Sequence, residues 1–122
     1  MKTISLFSSA GIGELRLPKN KIDVIAANEL LPKRADCYRF FYPETNMLCG
    51  DITDDAVKQQ LIDTANRDKA QLLIATPPCQ GLSTLGKNKG QDQYEVDRRN
   101  YLVLEVLEII DACDFDYILM EN

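Results

Sequence analysis

In Leu72-Leu73-Ile74-Ala75-Thr76-Pro77-Pro78-Cys79-Gln80-Gly81-Leu82-Ser83, an uninterrupted apolar run gives way at once to a proline-broken polar loop. A short continuous apolar run bounded by turn residues reads as a strand buried on both faces, as in parallel sheets. The prolines end it, because neither can donate to a sheet ladder. The loop that follows displays a thiol, Cys79. A second apolar run, Tyr117-Ile118-Leu119-Met120, ends in the same manner on Glu121-Asn122. If the two runs are neighbouring parallel strands, Cys79 and Glu121 open into one crevice, since such sheets bind ligands outside the carboxyl ends of their strands.

Outward from this stretch, short apolar runs alternate with helical patterns, the signature of βαβ units. Strands are expected at residues 3–7, 23–27, 47–49, 71–75 and 116–120. Pro32 opens a helix over 33–41 and Pro43 closes it, with Phe40 and Phe41 expected in the core. Thr53 can cap a second helix, with Asp54 and Asp55 in its first turn and Val57, Leu61, Ile62 and Ala65 as its apolar face. The strongest helical pattern spans 99–112, where Leu102, Val103, Val106, Leu107, Ile109 and Ile110 make a wide apolar face that should pack deeply. The expectation is one α/β domain, a mostly parallel sheet with helices on both faces.

Composition narrows the chemistry. The chain has 122 residues, a formal net charge of −5 and no histidine. Without imidazole, no Cys-His or Ser-His nucleophile pair can form within it. The cysteines, Cys37, Cys49, Cys79 and Cys113, form no CxxC pair, so reduced thiols and no structural metal are expected. Cys37, Cys49 and Cys113 read as buried structural residues. With no signal peptide and no apolar run of membrane-spanning length, the chain reads as soluble and cytoplasmic. Its negative charge argues against general nucleic-acid binding by this chain alone.

The first strand runs into Ser8-Ser9-Ala10-Gly11-Ile12-Gly13-Glu14, a small-residue turn through which a ligand can approach the backbone. Taken alone it also reads as a plain tight turn. At the end of the second strand stands Glu29, where an acid can accept from a ribose, and the third ends in Gly50-Asp51-Ile52, a carboxylate for an adenine amine beside an apolar side chain. Singly, Glu29, Asp51 and Glu121 are also compatible with solvated carboxylates. Together these strand ends describe an adenosine-shaped site.

In this order the segments resemble the DNA (cytosine-5)-methyltransferase family, whose members use S-adenosylmethionine. SLFSSAGIGE resembles its first motif, Asn28-Glu29 its second, Gly50-Asp51-Ile52 its third, PPCQGLS its catalytic fourth, Asp97 to Leu102 its fifth and Glu121-Asn122 the start of its sixth. The resemblance implies a Rossmann-like methyltransferase fold. It implies that Cys79 adds to carbon 6 of a flipped cytosine while Glu121, its pKa raised by burial, serves ring nitrogen 3 and Asn122 helps orient the site. Phe7, Ala10, Gly11 and Ile12 match the cofactor loop, Glu29 the ribose contact, Asp51 and Ile52 the adenine contacts, and Pro78 and Leu102 the pocket near the methyl donor. Gln80, Ser83, Lys87, Lys89 and Arg99 fall in the family's DNA-contacting loop, whose acids offset most of its cations.

Ser5 departs from the acidic residue many members carry before Leu-Phe, and Ser9 replaces a frequent glycine. Segments resembling the family's later motifs and its target-recognition region do not occur in the chain. The expected partners are therefore DNA holding the target cytosine and the C-terminal half of the enzyme or a complementary subunit, with no membrane and no metal. An incomplete fragment from a restriction-modification system, a subunit of a split enzyme, a transfer-RNA cytosine methyltransferase and a non-catalytic remnant binding cofactor or a partner stay open at this point.

Overall fold

The structure, a computed structural model, describes residues 1–78 and 101–121. Five strands, β1 (Lys2–Leu6), β2 (Asp23–Glu29), β3 (Asn46–Cys49), β4 (Leu72–Ala75) and β5 (Tyr117–Met120), form one sheet in the order β3-β2-β1-β4-β5. Every pairing is parallel. Helices α1 (Pro32–Phe41), α2 (Asp55–Asp68) and α3 (Leu102–Asp111) lie between them in sequence. The chain winds outward from β1 to β3, then crosses back to β4, so the strand order reverses between β1 and β4. In open α/β sheets that reversal opens the ligand crevice.

Alternation along β1 divides the core. Ile4 and Leu6 face one side, where they join Ala26, Leu73 and Ala75 under Leu61 and Ala65 of α2 and Val106 and Ile109 of α3. On the other side Ala27 and Met47 pack against Ala35 and Tyr38 of α1. Helices thus cover both faces, as expected. The strands differ from expectation at their ends for local reasons. β1 stops before Phe7, whose φ of 58° leaves the extended region. β2 continues through Asn28 and Glu29 because these polar residues pair with Leu48 and Cys49 of β3.

Other expectations are corrected. Asp54, not Thr53, caps α2: its side chain accepts from the Ala56 amide at 2.8 Å, while the Thr53 hydroxyl donates to Asp51. Phe40 and Phe41 are not core residues; Phe40 is 81% exposed, because α1 turns Ala35 and Tyr38 inward, and the two rings pack edge to face on the outside. Cys37 shares that outer surface and Cys49 ends the edge strand β3, so both are exposed, whereas Cys113 is partly buried against the core. α3 packs less deeply than its pattern suggests: Val106 and Ile109 are buried, but Leu107 is exposed. Its N-terminal limit is Leu102, with position 99 outside the described residues. Among the described residues no helix is long and apolar enough to cross a membrane.

Candidate functional site at the carboxyl edge of the sheet

Parallel strands bring their carboxyl ends to one edge. The loop leaving β1 has left-handed backbone at alternate positions, Phe7 (φ 58°), Ser9 (φ 52°) and Gly11 (φ 79°). Only the glycine adopts this without cost; the other two store strain that surrounding bonds must hold. The Ser8 amide and hydroxyl both donate to the Asn28 carbonyl at 3.0 Å, and the Ser9 amide donates to Glu29 Oε2 at 2.9 Å. A Cβ on Gly11 would lie 2.3 Å from the Tyr42 ring, so no side chain fits there.

Glu29 is 5% exposed, and its other oxygen accepts from the Leu31 amide at 2.8 Å. It is therefore no solvated carboxylate. It ties the β1 loop to the turn entering α1, and each oxygen retains a lone pair for a further donor. Asn28, named in the sequence only as part of the second-motif resemblance and given no role, donates through its buried side-chain amide to the Leu48 and Gly50 carbonyls, each at 3.0 Å. The signal was present: two polar residues end the strand directly after the apolar run of residues 24–27. Asp51 is exposed beyond β3, its Oδ1 accepting from the Thr53 amide and hydroxyl at 2.9 Å, which leaves Oδ2 for other donors. Ile52 is 3% exposed within the core cluster, below this surface. Phe7 is partly buried against that cluster, Ala10 is half-buried and Ile12 is exposed. A glycine that excludes any side chain, a buried acid and an exposed acid thus stand at or beyond the ends of β1, β2 and β3 along one edge of the sheet.

The other half of the edge is held as firmly. The Thr76 amide donates to the Leu6 carbonyl at 3.3 Å and its hydroxyl to the Phe7 carbonyl at 3.2 Å, joining the exit of β4 to that of β1. The Glu121 amide donates to the Ala75 carbonyl at 3.0 Å, joining the exit of β5 to that of β4. Pro78 is half-buried at this exit, and Leu102, the first residue of α3, packs against the core cluster. Glu121 is exposed rather than buried as expected, because β5 is the outer strand of the sheet among the described residues. Cys79, Gln80, Ser83, Lys87, Lys89, Arg99 and Asn122 lie outside the described residues. The structure thus brings the Phe7–Gly11 loop, Glu29, Asp51, Pro78 and Glu121 to one edge and sets Ile52 beneath it.

Behind the loop lies a buried polar cluster that the sequence did not announce. Glu14 accepts from the hydroxyls of Ser5 on β1 and Tyr38 on α1. Burial raises its pKa above the ordinary carboxylate range, and the two hydroxyls offset part of that rise. Burial, together with the adjacent Glu14, raises the Tyr38 phenol as well. Ser5 takes on meaning here, since an acid at that position would meet the Glu14 carboxylate. A shallow cleft lined by Pro18, Asp23, Val24, Phe41 and Thr45 lies toward the amino end of β2, away from the carboxyl edge.

A family model described as C-5 cytosine-specific DNA methylase matches residues 1–122. The chain is 46% identical over 119 residues to the type II methyltransferase M1.HgaI of Avibacterium volantium, covering 98% of this chain and 33% of that protein. It is 34% identical over 123 residues to the type II methyltransferase M.AquIA of a Picosynechococcus strain, covering 99% of this chain and 48% of the relative. The chain therefore spans between about a third and about half of these relatives' length. Among solved structures, a putative DNA modification methyltransferase encoded within an E. coli prophage superposes with a TM-score of 0.75 at 20% identity, over 98% of this chain and 31% of that one. The Dnmt2 methyltransferase of S. pombe superposes at 0.65 and 16% identity, over 98% of this chain and 33% of its own. These two matches show that the fold is shared.

Proposed function

The chain belongs to the C-5 cytosine-specific DNA methylase family, and from that membership we propose that it forms the N-terminal part of a catalytic domain that methylates carbon 5 of cytosine in DNA, within a restriction-modification system. The observation that supports this most directly is the shared carboxyl edge, where the β1 loop, Glu29 and Asp51 lie on one side of the strand reversal and the exits toward Cys79 and Glu121 on the other.

S-Adenosylmethionine supplies the methyl group, carried on a sulfonium that makes it electrophilic. The Phe7–Ile12 loop and Pro78 would hold its methionine end, Glu29 its ribose and Asp51 its adenine amine. Ile52 would lie toward the face of the adenine ring, and Leu102 would line the pocket near the methyl donor. Cys79 acts as a thiolate: its sulfur bonds to carbon 6 of the cytosine, and the electron pair of the carbon 5–carbon 6 double bond shifts so that carbon 5 becomes nucleophilic. Glu121 donates a hydrogen bond or proton at ring nitrogen 3, neutralising the charge that this addition builds, with Asn122 orienting it. Carbon 5 would take the methyl carbon as that carbon's bond to the sulfonium sulfur breaks, the electron pair staying on sulfur to leave the neutral thioether; the carbon 5 proton then leaves to solvent, the double bond re-forms and the Cys79 sulfur departs as thiolate. The base reacts only outside the stack, at an unstacking cost of a few kcal/mol. Gln80, Ser83, Lys87, Lys89 and Arg99 offset part of this through contacts to the extruded strand.

The rest of the enzyme comes from a complementary polypeptide segment that packs on β5. Both faces of that strand expose apolar side chains, Tyr117, Ile118, Leu119 and Met120, which supports this part of the reading. Covering β5 would also bury Glu121, as its role requires.

The test is covalent capture. The chain, alone and co-purified with the remainder of the Avibacterium relative, is mixed with S-adenosylmethionine and a duplex containing 5-fluorocytosine, since fluorine at carbon 5 cannot leave as a proton does. A denaturation-resistant adduct that Cys79→Ser abolishes is expected in the complemented sample. An adduct that survives Cys79→Ser, or none in either sample, would sink the assignment; capture of a fluorocytosine-bearing transfer RNA alone would redirect the substrate to RNA.

A further inference from the structure

The most deeply buried carboxyl group near the site, Glu14 at 4% exposure, has no place in the chemistry above. It belongs to the one-turn 3-10 segment Ile12–Glu14 that immediately follows Gly11. Its partners come from elsewhere in the fold, Ser5 from β1 and Tyr38 from α1. Four residues beyond Tyr38, at the C-cap of α1, Tyr42 packs against the Tyr38 ring with centroids 4.7 Å apart. The Tyr42 hydroxyl donates to the Gly11 carbonyl at 2.7 Å, and its ring occupies the space a Cβ on Gly11 would need. The end of α1 therefore grips the loop twice, at Gly11 through Tyr42 and at Glu14 through Tyr38. Between β1 and these grips run the left-handed residues Phe7 and Ser9, a conformation that persists only where its surroundings over-determine it.

The geometry assigns Tyr38 and Tyr42 as positioning residues for the cofactor loop: their hydroxyls, acting on Glu14 and on the Gly11 carbonyl, hold the loop in its binding shape before the cofactor arrives. This rests on reading that loop as the S-adenosylmethionine site. Such pre-organisation appears in cofactor affinity, because a loop that must be ordered on binding lowers affinity by the fraction of time it is misplaced.

Tyr42→Phe and Tyr38→Phe keep the rings and remove one hydroxyl each. In the ligand-free full chain, hydrogen exchange followed by mass spectrometry should show the peptide covering residues 7–14 exchanging about fivefold faster in Tyr42→Phe, the equivalent of one hydrogen bond, with β4 peptides unchanged. Calorimetry with S-adenosylmethionine, at a temperature where the variant is fully folded, should show a dissociation constant raised by a similar factor. Unchanged exchange overturns the inference. Faster exchange with unchanged affinity also overturns it, leaving the tyrosines a merely structural role. If wild-type chain binds no S-adenosylmethionine, the cofactor reading fails, while the exchange experiment still decides whether the tyrosines hold the loop. If Tyr38→Phe fails to fold, the half-buried Tyr42 provides the deciding variant.

Discussion

Gly11 is required on two separate grounds, a φ of 79° and the Tyr42 ring that fills the volume of a side chain. Gly11→Ala should therefore cost about 1–3 kcal/mol in urea unfolding, whereas Gly13→Ala, with nothing within 4 Å of an added Cβ, should be close to neutral. Equal effects would show that the loop repacks freely. Glu14 makes a sharper prediction through pH. Burial raises its folded-state pKa above that of the unfolded chain, so its contribution is fully present below the ordinary carboxylate range and is lost as pH rises through the folded value. Glu14→Gln, which does not titrate, should gain stability relative to wild type as pH increases from about 4 toward neutrality. Urea midpoints at a series of pH values check this, and a pH-independent difference would contradict it. At this scale sequence reasoning located Gly11, Glu29 and Asp51, but it could not distinguish a ligand contact from a residue that holds the backbone. Glu29 shows why: its burial depends on the Ser9 and Leu31 amides, and the first is brought to it only by folding.

Among the elements, α2 and α3 are joined by Lys58, whose ammonium reaches both Glu105 and Glu108 of α3. These carboxylates raise the lysine's pKa, and its charged form is held well into the alkaline range. Because α3 follows directly on the segment after Cys79, this three-residue bridge anchors the element that carries Leu102. Lys58→Met keeps the apolar stem but leaves Glu105, itself largely shielded, without its cation, and should cost about 1.5–3 kcal/mol in thermal or urea unfolding. A loss below a few tenths would place the bridge among ordinary surface ion pairs. The cap is separable: Asp54→Ala removes the acceptor for the Ala56 amide and should cost about 1 kcal/mol. Helix identities were legible from apolar spacing and from Pro32, while the choice between Thr53 and Asp54 as cap was not. Either side chain suits a cap, and the Thr53 hydroxyl is diverted only because Asp51 sits two residues back at the end of β3.

For the molecule as a whole, β5 is the outer strand of the sheet on one side among the described residues. Tyr117, Ile118, Leu119 and Met120 are all exposed, as are Leu104 and Leu107 of α3. Leu119→Lys should change the chain's own stability by less than about 0.5–1 kcal/mol, since the side chain is already exposed, yet it should abolish co-purification with the complementary segment. Retained co-purification would move the interface elsewhere. The amino-acid sequence by itself determined the α/β alternation, the parallel sheet and the order in which the site segments occur. Apolar runs with prolines and glycines at their ends are local facts, and buried strands joined by helices leave a parallel sheet as the economical arrangement. Only the tertiary structure decided which side chains are spent on holding that sheet's edge together. Ser5, Glu14 and Tyr38 come from β1, the loop and α1, and nothing in their spacing fixes their meeting. Phe40 and Phe41 face outward because α1 can bury only one stripe, chosen by the surface of β2 and β3 beneath it.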